Sequence, residues 1–84
     1  MEEMAMTLDM LNPGEGAVVK EIITEGGMRR RLLDIGLVEG ARVDCIGRSP
    51  GGDPSAYLIC GAVIAIRSKD CKGVLIHRRG VGGR

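Results

Sequence analysis

Glycine decides what this chain can fold into. Fourteen glycines stand among 84 residues, and the apolar segments between them are too short for long helices. LNPGEG (11–16) reads as a turn, and AVVKEII (17–23) behind it is rich in β-branched residues and reads as a strand. EGG (25–27) breaks that strand, and VEG (38–40) makes a further turn before the strand ARVDCIGR (41–48). Alternation puts Val43 and Cys45 on one face of it, Arg42 and Asp44 on the other. SPGGDP (49–54), with two prolines and two glycines, cannot sit inside a sheet and is a loop in which Asp53 holds the turn. It has neither the spacing nor the following helix of a phosphate-binding loop. SAYLIC (55–60) and AVIAIR (62–67) form a hairpin about Gly61, with Ile64 and Ile66 on one face. A helical turn at SKDCK (68–72) and a strand at VLIHRR (74–79) follow.

Five short strands, with one short helix inserted after the first, give a mostly β chain. The expectation is one small, mostly antiparallel barrel across residues 1–84, its core about 7–79 and its last residues, GVGGR (80–84), a frayed tail. Closing the sheet would hide its edges.

The core has to be aliphatic, because the chain has no Trp or Phe and Tyr57 is its one aromatic residue. The longest apolar run, Ala56 to Ile66, has a glycine in its middle and falls well short of the roughly 20 residues of a helical membrane span. Direct membrane insertion is therefore not expected. The start, MEEMAMTLDML, is acidic and lacks the basic flank of a signal peptide, so a cytoplasmic protein is expected. Net charge is +1, yet residues 1–28 carry six acids and one base while residues 29–84 carry eleven bases and five acids. A basic second half favours an anionic partner.

The basic half opens with MRRRLLDIGL (28–37). At helical spacing Met28, Leu32 and Ile35 share one side, and Arg29, Arg30 and Arg31 fan around the rest. Asp34 lies i+4 from Arg30 and i+3 from Arg31, within reach of both. Gly36 stands where a helix ends in a left-handed residue, with Leu37 next and Leu32 as its apolar partner in a Schellman motif. The arginines admit three readings: a solvated helix face, a protein-docking surface, since arginine is enriched at interface hot spots, or a nucleic-acid contact. The last lacks support, because a single tyrosine supplies no stacking platform and the helix is too short to fill a groove.

Cys45, Cys60, Cys71 and His77 are the available soft metal ligands. They stand on separate segments without the close spacing of a metal motif, so the cysteines read as small buried hydrophobes. His77 has no serine or cysteine partner for nucleophilic catalysis, and no catalytic constellation is visible.

The pieces LNPGEGAVV, RRLLDIGLVEGARV, RSPGGDPSAYLI and IAIRSKDCKGVLI, in that order from about Thr7 to His77, resemble the ferrous iron transport protein A (FeoA) family. The most specific part is RLLDIGLVEG, followed by Pro50, Asp53-Pro54 and the Ile66-Arg67 step. The resemblance implies a small SH3-like β-barrel with a helical insertion. It also implies a cytoplasmic accessory of bacterial ferrous iron uptake that acts on the membrane permease, whose cytoplasmic part is a GTPase, and is not itself an enzyme. The same domain type forms the C-terminal end of metal-dependent repressors. Glu39 stands where the family's turn usually has proline, and Cys71 where a small apolar residue is common.

The leading functional expectation is an adaptor that docks on the permease and modulates transport, with a contact surface of Arg29, Arg30, Leu33 and Leu37. A chain that itself carries ferrous iron on Cys45, Cys60, Cys71 or His77 is the metal-binding alternative, and a regulatory interaction domain like that of the repressors is another. No cofactor is called for, and self-association stays open.

Overall fold

The computed structural model describes Met6–Arg78; the tail expected at 80–84 and the last residue of the expected core lie outside it. The elements in chain order are β1 (Met6–Thr7), a 3-10 turn (Leu8–Met10), β2 (Gly16–Ile22), α1 (Gly27–Asp34), β3 (Arg42–Arg48), β4 (Ser55–Ile59), β5 (Ala62–Ile66), α2 (Ser68–Cys71) and β6 (Val74–Arg78). The strands pair in the order β1-β6-β2-β3-β4-β5, every pairing antiparallel.

The mostly β class and the five expected strands hold, with two corrections. A sixth strand precedes them, so the helix follows the second strand rather than the first. Among the described residues the hydrogen-bonded ladder also does not close into a barrel: β1 and β5 are its two ends. The physical reason lies in β1, which is two residues long because Leu8–Met10 turns away at once. That turn drives Leu8 and Leu11 fully into the core, and it packs against α2, which follows directly on β5. A helical turn stands where a ladder would have closed.

Two bulges bend the sheet around this core, between Val19 and Glu21 on β2 and between Cys45 and Gly47 on β3. Inside lie Ala17 and Val19 of β2, Val43 of β3, Ile59 of β4, and Val74 and Ile76 of β6, alternate residues of their strands. The β3 alternation is as expected, with Val43 and Cys45 buried and Arg42 exposed.

Tyr57 occupies the centre, 1% exposed. Its hydroxyl donates to the Leu8 carbonyl at 3.5 Å and accepts from the Cys71 thiol at 3.5 Å. Burial pushes the tyrosine pKa up, reinforced by the neighbouring Cys71. Burial likewise raises the Cys71 thiol to about 11. Both groups stay neutral at physiological pH, as a dry core requires.

Polar ties fasten the loops. The Arg48 guanidinium donates to Ser55 Oγ and to the Leu11 carbonyl, each at 3.0 Å, holding the LNPGEG turn against β3 and β4. Asp53, expected to fix its own turn, reaches further: its Oδ1 accepts the Ser68 amide at 2.8 Å and so caps the first turn of α2.

Asp9 accepts from the Thr7 hydroxyl and pairs with Lys72 Nζ at 3.0 Å, tying the 3-10 turn to α2. Burial works to raise the Asp9 carboxyl, but the Thr7 hydroxyl and the Lys72 ammonium outweigh it, so the pKa falls below the ordinary 3.8. A carboxyl lowered by folding contributes stability that is present above its unfolded pKa and is lost as pH falls through the folded one. The Asp9→Asn variant should therefore be less stable by about 1 kcal/mol at most near pH 6. That gap should shrink once pH drops below 3.8. Urea midpoints measured from pH 6 to pH 2 check this, and a gap that does not depend on pH would contradict it.

Candidate docking surface

α1 begins at two glycines and ends at a third. Its stop is the Schellman motif expected from the sequence: Leu37 N–H donates to Leu32 O at 3.1 Å and Gly36 N–H to Leu33 O at 3.0 Å. Gly36 has φ +109°, a left-handed conformation that side chains rarely adopt.

The motif explains a correction at the expected contact surface. Leu37 is 0% exposed and packs in the core, because the residue after the glycine folds back onto the helix it terminates. Leu37 cannot touch a partner. Leu33 is half-buried against the core and offers one edge. Arg29 and Arg30 are exposed, but Arg29 is partly engaged, its Nη1 donating to the Ile22 carbonyl at 2.7 Å. Asp34 forms no ion pair with Arg30 or Arg31 among the described residues; the pairs found there are Arg42–Asp44, Asp9–Lys72 and Glu15–Arg78. The arginines of α1 face solvent with their charge uncancelled.

The inner side of α1 carries Met28, Leu32 and Ile35 as the spacing implies. With Ile64, Ala65 and Ile66 of β5 they line a groove of about 270 Å³, floored by Leu32, Ile35 and Ile64 and with Arg31, Arg67 and Asp70 at the rim. Sequence reading named Arg31 and Arg67 separately but missed the groove that brings them together, because its sides lie some thirty residues apart in the chain. The signal that was available is AVIAI itself, a strand segment without a charge.

The metal candidates do not converge. Cys45 and Cys71 are buried, as expected of small hydrophobes, whereas Cys60 is exposed. Cys60 sits in the β4–β5 turn, with φ +50°, and His77 lies exposed on β6. Among the described residues no three His, Cys, Asp or Glu side chains come together as a metal site. No helix among them is long and apolar enough to cross a membrane.

The molecule thus combines an antiparallel bent sheet, a glycine-bounded helix after β2 and an open groove beside β5. The FeoA domain family model matches residues 6–78. The chain belongs to the FeoA domain family. The FeoA domain is 31% identical over 72 residues to an Fe(2+) transport protein A/Fe(2+) transporter FeoB fusion protein of Porphyromonas gingivalis, a match covering 86% of this chain. It spans 8% of the length of that relative.

The solution structure of a FeoA protein from Chlorobium tepidum superimposes on this FeoA domain with a TM-score of 0.83 at 33% identity, covering 89% of this chain and 71% of that one. A FeoA of Stenotrophomonas maltophilia, crystallised with zinc and described as an SH3 domain protein, gives a TM-score of 0.79 at 30% identity, covering 87% and 91%. The fold is thus SH3-like. A manganese-dependent transcriptional repressor shares the fold, with a TM-score of 0.78 at 18% identity over 42% of its chain.

Proposed function

We propose that this FeoA domain is a non-enzymatic adaptor of ferrous iron uptake, working on the cytoplasmic side by docking onto the membrane permease at its GTPase-bearing part and modulating transport. The supporting observation is the Porphyromonas gingivalis relative, in which a sequence similar to this chain and an Fe(2+) transporter belong to one polypeptide. Fusion holds two modules at high effective concentration, which is useful when the modules work by touching. The uncancelled arginines on α1 supply a surface of the type that anchors protein contacts.

A pull-down of the permease's cytoplasmic domain by the chain, with and without guanine nucleotide, tests the proposal. Arg30→Glu alone, and combined with Arg29→Glu, should weaken capture at least about tenfold, roughly 1.4 kcal/mol. Undiminished binding by the double variant would move the contact elsewhere, and no capture by the unaltered chain would end the adaptor reading.

A further inference from the structure

β5 is an end of the ladder, and among the described residues its outer edge pairs with nothing. Which backbone groups face outward follows from the register. Cys60 and Gly61, both at positive φ, make a two-residue turn that joins Ile59 to Ala62. Ile59–Ala62, Tyr57–Ile64 and Ser55–Ile66 are then the hydrogen-bonded pairs of the β4–β5 hairpin. Val63 and Ala65 accordingly turn their N–H and C=O groups to the open edge.

Edges of this kind are ordinarily blunted by proline, charge or a bulge. AVIAI has neither proline nor charge, and its pairing with β4 is regular. Beside the edge runs the α1–β5 groove, floored by Leu32, Ile35 and Ile64, with Arg31 and Arg67 at its rim. Neither arginine forms an ion pair among the described residues, and Asp70 is the one carboxylate in the lining.

We propose that the β5 edge accepts an extended segment of a partner protein as an additional strand, in a mode known from peptide-binding domains. The open N–H and C=O row demands extended backbone. The apolar floor demands that alternate residues of the segment be apolar, since a strand turns every second side chain to one face. The two rim arginines demand an acidic residue in it. A second copy of this chain fits less well, because its own β5 would bring no carboxylate to them. The proposal rests on the adaptor reading and names the mode of contact.

The permease's cytoplasmic domain is the probe. Amide hydrogen exchange at Val63 and Ala65 should slow at least tenfold in the complex. Ala65→Pro removes one outward N–H without breaking the hairpin ladder, as edge strands tolerate, and should weaken binding at least tenfold. Arg31→Glu with Arg67→Glu, which leaves the strand untouched, should do likewise and serves if the proline variant does not fold. Binding with Val63 and Ala65 exchanging as in the free chain would overturn strand addition and leave the adaptor reading standing. No binding by the unaltered chain would overturn both. Sedimentation of the chain alone completes the test: a dimer whose Val63 and Ala65 amides are already protected would assign the edge to a second copy and overturn the proposal.

Discussion

Tyr57→Ala is expected to cost about 3–5 kcal/mol of stability, the range for deleting a buried ring. Small domains have roughly 5–15 kcal/mol in all, so the variant should stand near the edge of folding. No other aromatic residue exists to take over the space. The ring is 1% exposed, and its hydroxyl links the Leu8 carbonyl to the Cys71 thiol. It therefore joins the 3-10 turn, β4 and α2, the three pieces that meet where the sheet fails to close. Tyr57→Phe keeps the ring and should cost about 1 kcal/mol, the usual net value of one hydrogen bond. Urea unfolding of both variants separates packing from polar linkage. Equal losses would show that the hydroxyl, not the ring, holds this corner.

Gly36→Ala should also be strongly damaging, at about 2–5 kcal/mol. About 1–2 kcal/mol comes from forcing an L residue into left-handed backbone. The rest is overpacking, typically about 1–3 kcal/mol, because a Cβ at Gly36 would stand 2.6 Å from Cys60 Sγ and 3.1 Å from Ile59 Cγ2. The two contributions can be told apart. Adding Cys60→Ala removes the sulfur and should return the larger share of the overpacking, leaving the milder Ile59 contact and the backbone part intact. If the double variant is no more stable than Gly36→Ala alone, the clash argument fails.

Local chemistry in the sequence carried much of this. Glycine and proline placed the turns, and the five expected strands lie within a residue of their expected limits. Gly36 announced both the end of α1 and the return of Leu37 onto Leu32. The same motif buries Leu37, so placing that leucine on the contact surface contradicted the packing the motif requires. β1 and the 3-10 turn were not legible, since a two-residue strand has no periodicity and TLDML carries no glycine or proline. Leu8 and Leu11, three apart in an acidic stretch, were the one hint of a buried face there. The groove was beyond sequence reading for a different reason. It exists between α1 and β5, and nothing local to either segment states their distance. Arg29 and Arg30 were found as exposed cations, but the carbonyl of Ile22 that engages Arg29 became visible only with the chain folded.

The close approach of Gly36 to Cys60 also gives α1 two unlike ends. At its finish the helix is wedged against the β4–β5 turn, with no room for one more carbon. At its start, Gly26 and Gly27 have nothing within 4 Å of where a Cβ would stand. The finish is thus a fixed reference point at Cys60, whereas the start is held by longer reaches, Arg29 Nη1 to the Ile22 carbonyl at 2.7 Å and Met28 against the core. A strand seated along β5 would have its position measured from the wedged end.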